Sequence, residues 1–157
     1  MIKVYVVSAC LLGHNCKYNG GNNENSAVME FCKTHNHIGV CPEKVSGLPV
    51  PREPAEFING RVVNRSGEDV TEYFEIGTNK VIGYLEKFTG GDLSLISGAI
   101  LKANSPSCGS GEIYDGTFSG KIISGDGMLA AALKAHGIPV YTEKNLSELL
   151  DSEGKVR

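Results

Sequence analysis

"IKVYVVSACLLG" (residues 2–13) gives the clearest indication of the fold, because an uninterrupted β-branched segment runs directly into a loop that carries a cysteine. Polar residues do not alternate with the apolar ones in its first half, which is typical of a strand buried in a parallel sheet. Cys10 follows this strand, and Cys16 lies six residues later in a loop rich in glycine and asparagine. The two thiols could serve packing, redox chemistry or ligation.

Length and charge limit the class of protein. A chain of 157 residues fits one domain, 1–157, and its net charge of −3 includes no basic run of the kind that binds nucleic acid. No stretch is apolar for long enough to span a membrane, so we expect a cytoplasmic protein without nucleic-acid or membrane partners, as a monomer or homodimer. Five cysteines, an odd count, do not indicate structural disulfides in that compartment.

The apolar pattern alternates between strands and helices. Strands are predicted at 2–8, 37–41, 97–104 and 138–143, and helices at 25–35, from about 69 to 88, at 125–137 with Gly137 as C-cap, and at 145–152. This order predicts βαβ crossovers. We therefore expect a single compact α/β domain whose mostly parallel, Rossmann-like sheet carries helices on both faces.

One segment interrupts this alternation. Residues 48–56 contain three prolines and are predicted to be irregular, and residues 57–71 are predicted to form a hairpin that turns at Asn59 and Gly60. Together they form a proline-rich flap, in which Arg52 and Glu53 are expected to pair at the surface. A further turn is predicted around residues 115–116.

Three cysteines follow three predicted strands. Cys10, Cys41 and Cys108 all belong to the carboxyl edge of the sheet, where parallel α/β proteins bind ligands. Cys32 lies within the first helix and is interpreted as a small buried apolar residue. Cys16 is left open as a ligand, a resolving thiol or a loop cap, with a structural role beside the site preferred.

Metal ligation is the chemistry that best suits these three thiols, although burial by coincidence is the alternative. Structural zinc sites usually take four ligands from close CxxC pairs, and the sequence contains no such pair. Three separated thiolates suit an iron–sulfur cluster instead. Gly109, directly after Cys108, allows close backbone approach and is predicted to contact the cofactor.

Four stretches carry a family resemblance: "SACLLGHNCKYNGG" (8–21), "VCPEKVSGLPVPREPAE" (40–56), "LKANSPSCGSGEIYDGTFSG" (101–120) and "GDGMLAAALKAHGIPV" (125–140). In order and together they resemble the DUF523 family, whose characterised members include thiouracil desulfidases. The resemblance implies a [4Fe-4S] cluster held by Cys10, Cys41 and Cys108. It also implies that an open iron binds the substrate sulfur and that the C–S bond breaks without net oxidation or reduction.

The resemblance also implies a reaction, in which the remaining residues of these stretches can be given roles. The expected reaction converts a small thiocarbonyl compound, 2-thiouracil or a related thiolated nucleobase, to uracil plus sulfide, with a sulfide acceptor as a further partner. Glu43 is predicted to be the base that activates water, Ser105 to act on the substrate, and Ser107 to lie behind the cluster ligands. The alternatives are a cluster- or zinc-bearing binding or sulfur-carrier module and, third, a cysteine-nucleophile hydrolase.

Overall fold

The computed structural model describes residues 3–154, with a parallel sheet at its centre. Its elements in chain order are β1 (Val4–Ser8), α1 (Ser26–Lys33), β2 (Asn36–Val40), α2 (Pro42–Val45), β3 (Ala55–Ile58), β4 (Arg61–Asn64), α3 (Thr71–Thr89), β5 (Ile96–Leu101), β6 (Glu112–Tyr114), β7 (Ile122–Ser124), α4 (Met128–Ala135), β8 (Val140–Thr142) and α5 (Leu146–Gly154). The central sheet has the order β2-β1-β5-β8, and β3–β4 and β6–β7 form two separate hairpins. The predicted α/β class is confirmed.

The register of the central sheet places the carboxyl ends of β1, β2 and β5 side by side. In the parallel pairing of β1 with β2, Ser8 lies opposite Val40, and β1 also pairs in parallel with β5. The Ser8 hydroxyl accepts a hydrogen bond from the backbone N–H of Lys102 just beyond β5, at 2.9 Å. The residues that follow these three strands therefore start from one edge of the sheet.

Helices cover both faces of the sheet, as predicted. One face packs Val6, Ala99 and Leu101 against apolar residues of α3 and α4, including Leu85 and Leu133. The other packs residues of α1 and α5 against Val7 and Ile100. None of the helices within residues 3–154 has the length and apolar character needed to cross a membrane.

The differences from prediction lie in the short elements. The proline-rich stretch is regular from Ala55, because β3 begins there, so the prediction of irregular structure through residue 56 is wrong at its end. The hairpin does turn at Asn59 and Gly60, both with positive φ. Helix α4 is capped by His136 with Gly137 one position beyond. The one-turn helix α2 and the β6–β7 hairpin were not predicted.

A close contact joins α2 to the long helix α3. Gly77, buried in the middle of α3, faces the turn of residues 41–43, and a Cβ atom at this position would overlap the Pro42 carbonyl oxygen. Gly83, on the same helix, has no heavy atom within 4 Å of such a Cβ. Gly77 therefore allows the helix to approach the backbone that follows Cys41.

We predict that Gly77→Ala lowers the free energy of unfolding by about 1–3 kcal/mol, the usual cost of overpacking, despite the higher helix propensity of alanine. The matched change Gly83→Ala should leave stability unchanged or raise it by up to about 1 kcal/mol. Urea denaturation of both variants measures the difference. Equal stability of the two would contradict the close packing at Gly77.

Candidate functional site

One pocket at the carboxyl edge of the sheet gathers four of the five cysteines. It has a volume of about 360 Å³, and Cys10, Cys16, Cys41 and Cys108 all line it. Cys10 lies in a single 3₁₀ turn after β1, and Cys41 follows β2 as the N-cap of α2. Cys108 lies in the loop after β5 and is 5% exposed. The structure thus brings together the three thiols selected from the sequence, and adds Cys16.

Each of these three sulfur atoms has a hydrogen-bond donor beside it. The Asn23 side-chain amide donates to Cys10 Sγ at 3.4 Å, and the Ser8 hydroxyl donates to the sulfur of Cys108. The sulfur of Cys41 interacts with the backbone N–H of Lys44. Donors of this kind stabilise the thiolate form that binds a metal.

The thiols lie close enough to influence one another's titration. Burial, with smaller contributions from the neighbouring Cys10 and Cys41, raises the pKa of Cys108 to about 12. Burial also raises the pKa of Cys10. The hydrogen bond with Cys16 lowers the pKa of Cys41 and raises that of Cys16, since it stabilises the Cys41 thiolate.

The two remaining cysteines, Cys16 and Cys32, differ in their distance from the site. Cys16 is buried beside Cys41, whose Sγ lies 3.9 Å from the Cys16 carbonyl oxygen, so it borders the site. Cys32 is half-buried at the edge of the core formed with α1 and does not line the pocket. All five cysteines are free thiols.

A buried ion pair forms one wall of the pocket. Glu43 Oε1 accepts a hydrogen bond from Arg52 Nε at 3.2 Å and lies 3.2 Å from Nη2, and the side chains of Glu43 and Arg52 are only 18% and 6% exposed. Glu43 Oε2 accepts a hydrogen bond from the Ser107 hydroxyl at 2.8 Å. Arg52 therefore pairs with Glu43 and not with Glu53, whose carboxylate accepts instead from Ser66.

The serines and glycine of the loop after β5 have different positions. Ser105 Oγ accepts from the backbone N–H of Cys108 at 2.8 Å and lies 3.3 Å from Ser107 Oγ. Ser107, not Ser105, contacts Glu43. Gly109 does not line the pocket, and a Cβ there would lie 2.8 Å from the Ser105 carbonyl oxygen, so tight packing of the loop accounts for this glycine.

Sequence reasoning missed several residues of the pocket. Arg52 was expected at the surface, yet its guanidinium also donates to the Cys16 carbonyl at 2.9 Å. Lys102 lines the pocket and pairs with Glu143 at 3.0 Å. The prolines around Arg52 indicate an irregular segment, but they do not indicate that this segment folds back to the carboxyl edge of the sheet. For Lys102, its place directly after a buried strand was the available signal.

The thiols surround the pocket without meeting at one point. Within residues 3–154, no three His, Cys, Asp or Glu side chains are placed to hold a single metal ion. A cluster of several metal atoms separates its ligands more widely than one ion does, and thiolates are its usual ligands. Cys10, Cys41 and Cys108 are the residues that could hold such a group.

The fold and the pocket define a single-domain α/β protein with a thiol-lined site suited to a metal cluster. A model of the 2-thiouracil desulfurase family matches residues 5–145, and the chain belongs to that family. The chain is 41% identical to the uncharacterised protein YbbK of Bacillus subtilis (strain 168), with 92% of this chain and 99% of YbbK covered. Its structure is similar to that of the [4Fe-4S]-dependent thiouracil desulfidase TudS (DUF523Vcz), with a TM-score of 0.83 and 38% identity, over 98% and 99% of the two chains. The predicted DUF523 membership is confirmed.

We predict that Cys41 of the metal-free protein reacts with iodoacetamide at lower pH than an ordinary thiol, because its lowered pKa favours the reactive thiolate. Cys16→Ala removes the hydrogen bond to that thiolate and should shift the reaction of Cys41 to higher pH. Cys32→Ala is the control and should cause no shift. Site-specific mass spectrometry across a pH series measures the rates, and identical Cys41 profiles in the two variants would contradict the Cys16 contact.

Proposed function

We propose that the protein desulfurates a small thiocarbonyl compound, 2-thiouracil or a related thiolated nucleobase, with a [4Fe-4S] cluster held by Cys10, Cys41 and Cys108. One observation carries this proposal: thiols from three separate strand ends line the same pocket as the hydrogen bond between Glu43 and Ser107. Membership of the 2-thiouracil desulfurase family and similarity to TudS support the activity and the cofactor.

The chemistry of the three thiols fits the cofactor. All are free, and each has a donor beside its sulfur, which for Cys108 is the Ser8 hydroxyl. Hydrogen bonds to the ligand sulfurs are among the means by which proteins tune iron–sulfur clusters. When bound through three thiolates, the cluster offers one iron without a protein ligand, a Lewis acid toward the soft sulfur of a thiocarbonyl group.

Glu43 and Ser107 supply the proton chemistry in this proposal. Water provides the oxygen that replaces sulfur, so C=S and H₂O become C=O and H₂S without net electron transfer. The Ser107 hydroxyl donates to Glu43, which leaves its oxygen able to accept from a pocket water or a substrate N–H. Glu43 receives the proton, and Arg52 orients the carboxylate.

The geometry favours the reverse of the roles expected from the sequence for Ser105 and Ser107. Ser107 contacts both the base and the sulfur of Cys108, so we assign the chemical role to Ser107. Ser105 caps the backbone N–H of Cys108 and holds the loop in shape. A carrier protein that only bound sulfur would not need a carboxylate–hydroxyl pair at this position, which favours the enzyme over the carrier.

We predict that Cys10→Ala, Cys41→Ala and Cys108→Ala each abolish cluster binding, whereas Cys32→Ala retains it. Protein purified without oxygen should contain about four iron atoms per chain, the content of a [4Fe-4S] cluster, and the three variants should contain almost none. Iron and sulfide analysis with absorption spectra measures this. Retention by Cys41→Ala together with loss by Cys16→Ala would reassign the third ligand to Cys16.

We predict that Glu43→Gln lowers kcat by about 100-fold or more, within the usual contribution of a general base, while the cluster stays bound. Glu53→Gln makes the same chemical change on an exposed glutamate of the flap and should leave kcat unchanged. Ser107→Ala should reduce kcat more than Ser105→Ala. Sulfide release from 2-thiouracil measures turnover, and full activity of a cluster-loaded Glu43→Gln variant would favour another base.

A further inference from the structure

The loop between β6 and β7 has an unfavourable backbone conformation. It spans residues 115–121, and Phe118 has a φ of 55°, in the left-handed region that bulky side chains rarely adopt. Gly116 has a φ of 94°, and a Cβ there would lie 2.6 Å from the Phe57 carbonyl oxygen of β3. Residues in such conformations persist only when their surroundings hold them, and they are concentrated at functional sites.

A buried carboxylate from the other hairpin holds this loop. Glu56 of β3 is 8% exposed, and its Oε1 accepts the backbone N–H groups of Gly116 at 3.0 Å and Phe118 at 3.1 Å. The two partners lie 60 and 62 residues away along the chain. Charge-assisted hydrogen bonds from backbone N–H groups to a buried carboxylate are stronger than ordinary backbone hydrogen bonds, so Glu56 stabilises the conformation of Phe118.

The side chain of Phe118 lines the pocket. It is half-buried, and the exposed Arg65 places its guanidinium 5.5 Å from the centre of the ring. Cys108 and Ser107 are buried, so they form the floor of the pocket, while Phe118 and Arg65 lie toward solvent at its rim. The pocket thus combines buried thiols and hydroxyls with a less buried aromatic residue.

Three aromatic side chains line this pocket: Tyr18, Tyr114 and Phe118. Among them, Phe118 alone combines a left-handed backbone with a buried carboxylate that holds its backbone N–H, so the fold fixes the point from which this ring projects. A ring fixed before binding loses little conformational freedom on contact with a ligand. Phe118 is therefore the side chain best prepared to pack against a planar ligand.

We propose that Phe118 is a specificity-determining residue, against whose ring the planar ring of the substrate packs, and that Glu56 is its positioning residue. This inference rests on the proposed function, since it concerns the recognition of a heteroaromatic thiocarbonyl compound. Flat rings bind an aromatic face by stacking, and the Arg65 guanidinium lies 5.5 Å from the centre of the Phe118 ring, within the range of a cation–π contact. Thiocarbonyl compounds without a ring make no such contact.

The test compares Phe118→Gly with Phe118→Tyr in cluster-loaded protein. Glycine accepts the left-handed backbone and removes the ring, so the variant should fold at least as well as the parent. We expect Phe118→Gly to lower kcat/KM for 2-thiouracil by about 5- to 100-fold, mainly through KM, the range for loss of stacking on an aromatic side chain. Phe118→Tyr should stay within about threefold of the parent, which follows from retention of the ring.

Glu56 is tested by rescue. Glu56→Ala should raise KM, as Phe118→Gly does, and should shift the amide NMR signals of Gly116 and Phe118. Glu56→Gln retains an acceptor, so its KM and its amide signals should lie close to those of the parent. The double variant with Phe118→Gly should bind no more weakly than Phe118→Gly alone, because both changes remove the same contact. Ile123→Ala, on the exposed part of the β6–β7 hairpin, is the control and should change neither KM nor these signals.

Binding of uracil, measured by titration calorimetry, separates this inference from the proposed function. An unchanged uracil affinity and KM in Phe118→Gly would overturn the inference and leave the function standing. Loaded protein that binds uracil through Phe118 but releases no sulfide from 2-thiouracil would overturn the function alone. Loaded protein that neither binds uracil nor releases sulfide would overturn both.

Discussion

The ion pair between Arg52 and Glu43 is the interaction on which the pocket depends. It joins the proline-rich flap to the turn after β2, and the same guanidinium reaches the Cys16 carbonyl oxygen. Each ion is withdrawn from water, so removal of one partner would leave the other charge unpaired at a cost of about 3–5 kcal/mol. Three segments that are separate in sequence are thus held by two side chains, and Ser107 extends the network to the loop after β5.

Local patterns predict the framework of this fold because its causes are local. The β-branched run of β1 is buried on both faces and the helical repeat of α3 buries one face, and each pattern lies within one short segment of the chain. The one-turn helix α2 and the three-residue strands β6 and β7 are too short for a periodic signal. Tertiary contacts, among them the one at Gly77, determine these short elements.

The difference between local patterns and tertiary contacts also determines which parts of the site can be predicted from the sequence. Cys10, Cys41 and Cys108 could be selected because a parallel sheet collects its strand ends at one edge. The contact of Glu43 with Ser107 joins residues 64 apart, and that of Glu56 with Phe118 joins residues 62 apart. Neither contact produces a pattern in the sequence around its two residues, so it can be seen only in the folded structure.

The two hairpins lie outside the parallel sheet, and both contribute residues to the lining of the pocket. Cys10, Cys41, Cys108 and Glu43 lie soon after the ends of β1, β2 and β5, whereas Phe118 lies at the tip of a hairpin further along the connection from β5 to α4. Surface connections vary in length and sequence more freely than the framework that carries them. Evolution, or a protein engineer, could therefore exchange the hairpin tips to admit differently shaped molecules while the thiol-bearing half of the pocket is inherited intact.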